Sequence, residues 1–433
     1  MNEINAGSSR IKLVNVTYIG GASARSDVSR RIVRYVISWI SPTIYSLVLF
    51  SAFSIKVFDV GGNYLFEAAL FLAIGWGLIA RDPIARAVVR IVRYKRHEVI
   101  AAFITITALF ILGSLIGGNA IYSYADYRAN LSILLGFLIF WDFRRRDSLP
   151  LIQLGIVTGI ISALSWYFQV TGDSLGTKFA SPYVCMLVAI VLACESRRMA
   201  LAALATVLLV FLAAVSFYRQ YWISAACGIV YLLSYAASQL ENRSRMRLVI
   251  IIAAGAIVAI PVAPRLVSKV EDFFVSDQSH YIQAVGKTQN FLDATVSGNG
   301  RMQGSDETRF SYFKFIFTNP WKVTLPHGLG YRSFFNDIDP YFSQSVVEVT
   351  TIDSLFFYMC FHYGILLTAP FLAWLVRGIY VSRRKRGMMP TMCIAVVMFV
   401  ALLFDGGQAV VISRAFWLGM LIAMIVHPVK IRI

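Results

Sequence analysis

Charge is scarce in this chain: 15% of its 433 residues are charged, against 58% apolar residues and a positive mean hydropathy. One soluble core cannot hide that much apolar surface, which excludes an ordinary water-soluble domain. Acidic side chains are scarcer than basic ones, 23 against 40, for a formal net charge of +17. That excess would suit nucleic acid, but the basic residues fall in alternate loops between apolar runs, so no nucleic-acid partner is expected. Cysteine is sparse too: Cys185, Cys194, Cys227, Cys360 and Cys393 all fall in apolar runs, which gives neither a disulfide framework nor a CxxC metal site. No internal repeat is visible. No cleavable signal peptide is expected, because Met1 to Ser29 is polar and Gly/Ser-rich, and the first apolar run is too long for such a signal.

What is present is a succession of apolar runs, all but one of them about 17 to 25 residues long, the length a helix needs to cross roughly 30 Å of hydrocarbon. Twelve are predicted, near 39–56, 63–80, 99–117, 128–141, 150–170, 178–194, 199–217, 221–239, 247–263, 353–376, 388–404 and 409–427. The expected fold is all-α, a polytopic integral membrane helical bundle with one large periplasmic loop containing short helices. Its organisation is a cytoplasmic tail over 1–38, nine helices over 39–263, the loop over 264–352, three helices over 353–427 and a short C-terminus over 428–433.

Orientation follows from Lys and Arg. With the N-terminus cytoplasmic, roughly 27 of them lie in inside connections and about 4 in the short outside loops, as the positive-inside rule requires. Both termini are therefore expected in the cytoplasm. The segment RDPIARAVVRIVRYKRHE carries Arg86, Arg90 and Arg93 at helical spacing with Val88, Val89 and Val92 between them. Such a helix can lie along the inner membrane surface or act as a plain topology anchor.

In the outside loop, Ser305 is the expected N-cap for SDETRFSYFKFIFTNP, a helix expected to stop near Pro320, and LPHGLGYRSF then supplies turn chemistry through Pro326, Gly328 and Gly330. Phe310, Tyr312, Phe313 and Phe317 serve either packing against the membrane domain or sugar binding.

The outer side collects cations against the charge bias. They are Arg219 between two apolar runs, Arg128 at the start of the fourth span, Lys178 at the start of the sixth, Arg301, Arg309 and Arg332 in the loop, and Arg414 inside the last span. Several cations on one face suit an anionic ligand such as a diphosphate, although each can also snorkel to lipid headgroups. Asp353 opens the helix that re-enters the membrane, where a carboxylate can accept a proton from a sugar hydroxyl or cap the helix. Glu67, Asp126 and Asp405 are weaker candidates on that side, His327 is a competing base, and His362 is expected to be a hydrogen-bonded bundle residue.

Twelve spans with a large outside loop between the ninth and tenth resemble the O-antigen ligase and Wzy-type polysaccharide polymerase superfamily. Four stretches carry the resemblance in order over about 175–370: LGTKFASPYVCMLVAI, SFYRQYW, ETRFSYFKFIFTNPWKVTLPHGLGYRSF and TTIDSLFFYMCFHYGI. They are similar to the family's Gly-x-Phe and Asn-Pro-Asn region, its Ser-Arg-x-x-Trp region, its loop arginine with Pro-x-x-Gly-x-Gly, and its re-entry segment. Ligases of the superfamily usually present histidine at re-entry, whereas this chain has Asp353 followed by Ser354, which favours the polymerase branch. SPYVC lacks the family's second Asn, leaving Lys178 alone to act there.

The resemblance implies transfer of a glycan from a polyprenyl diphosphate carrier to a sugar hydroxyl on the outer face of the inner membrane, with no cofactor and no required metal. Arg219 and Arg309, supported by Arg414, would stabilise the departing diphosphate, and Asp353 would act as base or orient the acceptor. The partners implied are the lipid-linked oligosaccharide, membrane lipids, a chain-length regulator and a flippase. A ligase acting on lipid A core or protein, and a polysaccharide transporter or flippase, are the rival readings. Against the transporter stands the layout, with a four-residue midpoint connection and a late external insert.

Overall fold

The computed structural model describes residues 38–47, 63–79, 82–117, 120–143, 148–170, 183–216, 219–238, 313–330, 354–404 and 412–428. Regular structure among them is entirely helical. The helices are α1 (38–47), α2 (Asn63–Ile79), α3 (Pro83–Tyr94), α4 (Arg96–Gly117), α5 (Ala120–Phe143), α6 (Leu149–Val170), α7 (Tyr183–Glu195), α8 (Met199–Ser216) and α9 (Arg219–Ser238). After them come α10 (313–318), a 3₁₀ turn at Pro320–Val323, α11 (Leu355–His362), α12 (Gly364–Arg386), α13 (Met388–Phe404) and α14 (Ile412–Val426).

Three helical segments, Arg96–Ile116, Gln220–Ser238 and Gly364–Arg386, are long and apolar enough to cross a membrane, and five shorter helices are also apolar. The distribution of polarity is that of a helical membrane protein. Phe71, Ile79, Leu115 and Val207 are 64 to 79% exposed, while Asp126, His362 and Arg386 are buried. Water would penalise such an outer surface, and a hydrocarbon solvent removes the penalty.

The core forms around α7, whose sequence has no polar face. Every residue from Tyr183 to Cys194 is buried, as expected of a helix apolar all round. Around it pack α6, α8, α9 and α14. The most extensive helix pair is α5 with α14, which cross where Gly136 meets the backbone of Phe416 and Gly419 meets that of Ile133. A side chain at either glycine would fall on a carbonyl, so the small residues set the close approach.

Two spans differ from the expectation. The fourth is longer, starting at Ala120 and not near 128, because Tyr122, Tyr124 and Tyr127 continue the helix through a stretch too polar for a hydropathy reading. The tenth, expected unbroken over 353–376, is two helices, α11 and α12, with Tyr363 between them. Gly364 has φ +71°, and the Leu325–Pro326 backbone presses where its Cβ would stand. Only glycine takes both the left-handed backbone and the contact at low cost. Part of the first span, the ninth span 247–263, and all of the loop except 313–330 lie outside the described residues.

Among the described residues, several of the connections meet at one end of the bundle. At that end α3 is capped by Asp82, whose carboxylate accepts from Ile84 N and Ala85 N. Arg90 then pairs with Asp142 at 2.7 Å, and Ser148 meets Ser196. Next to Ser196, Glu195 accepts from Arg386 Nε at 2.5 Å, and Arg386 Nη1 donates to Met424 O at 2.7 Å. These residues come from connections that the charge bias assigns to a single side.

Candidate functional site

The turn Pro326–Gly330 inserts into the bundle between α4, α5 and α11. Its insertion is explained by the break in the tenth span. A helix that stops inside a bundle leaves carbonyls without amide donors, and the helix that follows leaves amides without acceptors. Residues 324–328 supply both. Gly328 N donates to His362 O at 3.0 Å, His327 Nδ1 donates to Phe361 O at 3.2 Å, and Thr324 O accepts from Leu366 N at 3.3 Å.

On its other side the turn is held by buried polar side chains. Asp126 Oδ2 accepts from Gly330 N at 2.9 Å. His362 Nδ1 donates to Gly328 O at 2.8 Å, and its Nε2 stands 3.7 Å from Asp126 Oδ2. Asn130 donates to Asp126 O at 2.8 Å and to Tyr358 Oη at 3.3 Å, and accepts from the Tyr363 hydroxyl. Tyr358 stacks edge-on against His362, ring centroids 4.2 Å apart. Backbone contact completes the seat. Leu329 N donates to Leu109 O at 2.8 Å, a Cβ on Gly113 would overlap the Leu329 backbone, and a Cβ on Gly330 would overlap Ser123. Gly328 and Gly330 have φ +85° and +77°, so the turn needs glycine twice for conformation as well as space.

The roles of the two histidines follow from their partners. A carbonyl can only accept, so each Nδ1 carries the proton. In neutral His327 that leaves the ring's lone pair on Nε2, on a half-buried side chain. His362, fully buried, is a bundle residue as the sequence suggested, and it clamps the turn. Asp126, a weaker candidate for the base, is also fully buried and holds Gly330.

The structure brings together the stretches that carried the resemblance, in two pairs. The loop stretch meets the re-entry stretch through His362 and Gly328, and also through Phe313 against Phe357 at 4.4 Å and Phe315 against Phe361 at 5.8 Å. The start of α7 meets the start of α9 through Tyr183 and Tyr221, edge to face at 5.6 Å.

Among the predicted cations, Arg128 is more than two turns inside α5 and not at its start; its guanidinium lies 5.0 Å from the Tyr124 ring. The cause is the longer helix. Arg414 is half-buried in the first turn of α14. Arg219 is the first residue of α9, with its side chain outside the description. Asp353, Lys178, Arg301, Arg309 and Arg332 lie outside the described residues, as do Asp405, Phe310, Tyr312 and Ser305; Glu67 is helical with its side chain undescribed. Phe313 packs into the bundle, whereas Phe317 is 79% exposed. Helix α10 ends before Pro320, where the sequence predicts the stop.

Sequence reasoning missed Asn130, Tyr358, Tyr363 and Gly113. A signal existed: Asp126/Asn130 and Tyr358/His362 are polar pairs at i, i+4 within apolar helices, a spacing that puts both members on one face. Neither a protein-family model nor a curated protein matches this sequence. Function therefore rests on the residues themselves.

Proposed function

We propose that the chain is a polysaccharide polymerase of a bacterial inner membrane, extending a lipid-linked glycan by transfer from polyprenyl diphosphate to a sugar hydroxyl on the outer face. The carrying observation is the PHGLG turn, seated by Asp126, Asn130 and His362 beside the re-entry helix. Holding a loop inside an apolar bundle has an ordering cost, and a fixed proton acceptor next to the membrane boundary is a use that repays it. In this reading the end where those connections meet faces the cytoplasm, twelve spans cross the membrane, both termini are inside, and 264–352 faces out.

Arg219, Arg309 and Arg414 bind the diphosphate and stabilise the charge that develops as it leaves. Arg128, Lys178, Arg301 and Arg332 add positive potential around the donor. The hydroxyl proton passes to Asp353 or to Nε2 of His327. Displacement is direct and inverting.

Topology gives the first test. A reporter after Asn290 should be active only outside the cytoplasm and one after Gly387 only inside it, and the opposite pattern would move the site away from its donor. Activity gives the second. Purified protein with a polyprenyl diphosphate repeat unit should produce a ladder of lengthening glycans, whereas only a single transfer to added lipid A core would identify a ligase. In that assay Arg219→Lys should be slower than wild type and faster than Arg219→Ala, because lysine keeps the charge and loses the planar fork. Equal rates for all three would remove Arg219 from the site.

A further inference from the structure

Helix α3 has a buried face and an outward face whose charges are treated differently. Inward, Ile84, Ala87 and Ile91 are buried against the bundle. The basic groups closest to the bundle are compensated: Arg90 by Asp142 at 2.7 Å, and Lys95 by Glu98 at 2.6 Å with the Trp141 ring 5.2 Å away. Outward, Arg86, Val89 and Arg93 form an exposed stripe at i, i+3, i+7, Val92 is exposed on its flank, and exposed Arg96 follows. Among the described residues no acidic side chain pairs with Arg86, Arg93 or Arg96. Packing does not require that surplus, since removing the pairing acids weakens a soluble surface and adds nothing to the buried face.

The neighbours of the stripe say what covers it. The flanking helices α2 and α4 both expose large apolar side chains, Leu72, Trp76 and Ile79 on one and Ile100, Phe103 and Ile104 on the other. These belong in hydrocarbon, so α3 lies at the rim of a lipid-facing surface. A helix there, with valines on one side of its outward face and, on the other, arginines that pair with no acidic side chain among the described residues, has the composition of one lying in the plane of the interface. We infer that the outward face of α3 is a docking surface for anionic phospholipid, with Arg86, Arg93 and Arg96 on the headgroup phosphates and Val89 and Val92 at the acyl boundary. The chemistry is charge-assisted hydrogen bonding from guanidinium to phosphate, reinforced by the negative potential of an anionic leaflet. This inference goes beyond glycan transfer and needs only the helix and its membrane.

The test uses the full-length chain in neutral detergent, titrated with phosphatidylglycerol or phosphatidylcholine and read by native mass spectrometry. Wild type should retain phosphatidylglycerol in preference to phosphatidylcholine. The triple variant Arg86→Gln, Arg93→Gln, Arg96→Gln should lose about tenfold or more of that preference, while the triple lysine variant keeps most of it. All three proteins should elute as the same folded species, since the residues are exposed. Equal retention of both lipids by wild type, an undiminished preference in the glutamine variant, or a copy-to-copy association that the glutamines abolish would each overturn the inference. Because the readout is lipid retention, none of these outcomes depends on whether the chain extends a glycan.

Discussion

Under the proposed function, Gly113→Val is expected to abolish chain extension while the protein stays in the membrane at a near-normal level. The reason is a clash that no rotamer relieves. A Cβ at 113 stands 2.6 Å from Leu329 N and 2.7 Å from Leu329 C, on the backbone of the inserted turn. The turn must therefore withdraw from α4, taking with it the hydrogen bonds from Leu329 N to Leu109 O, from Gly330 N to Asp126 and from His362 to Gly328 O. Three such bonds contribute about 3 kcal/mol in all, at about 1 kcal/mol each. Helix α4 itself does not suffer, since valine has a higher helix propensity than glycine. Limited proteolysis should then cut near Lys322 faster than in wild type, which separates an undocked turn from an unfolded bundle. Asp126→Asn is the milder companion: it keeps the shape, weakens the bond to Gly330 and should slow extension less than Gly113→Val does. Wild-type extension by the valine variant with the turn still protected would show that docking has no part in activity.

Arg386→Ala is expected to lower the stability of the bundle by about 3–5 kcal/mol, the cost of leaving one partner of a buried ion pair alone. Arg386 and Glu195 are almost fully buried, joined at 2.5 Å, and Tyr231 also donates to Glu195 at 3.4 Å. Removal of the guanidinium therefore strands a carboxylate among α7, α9, α12 and α14. The pair is nevertheless imperfect, because Arg386 Nη2 and Glu195 Oε2 have no hydrogen-bond partner among the described residues. Desolvation of those two atoms opposes folding without return. The double variant Arg386→Met, Glu195→Leu should consequently be at least as stable as wild type, and clearly more stable than Arg386→Ala. Thermal unfolding of the purified proteins in one detergent measures the order. If Arg386→Ala melts with wild type, or the double variant melts below it, the pair contributes in some other way.

Much of the helical framework was legible in the sequence because hydropathy is a local property summed over one segment. Helices α2, α8 and α13 coincide with predicted spans to within a few residues, and α3 was visible as a basic amphipathic segment. Where hydropathy is mixed, reading by sequence fell short: the tyrosines at the start of α5 concealed two turns of helix and put Arg128 at the wrong depth. Much of the candidate site was legible by residue type alone. His362 was expected to be hydrogen-bonded within the bundle, and it is; Asp126 was weighed as a base, and its partner proved to be a backbone amide of the loop.

By itself, then, the sequence determined the helical, apolar, membrane type of this protein, the position of most helices, and the alternation of basic connections, since each depends on residues near one another in the chain. Tertiary structure alone decided that the tenth span breaks at Tyr363, that the PHGLG turn fills the gap, and that Gly113, Gly328 and Gly330 make room for it. It also decided that Arg386 finds Glu195. These facts rest on contacts between distant segments, as Asp126 and Gly330 are 204 positions apart. A buried polar group must find its partner wherever packing brings one, and no local pattern states in advance which distant residue that will be.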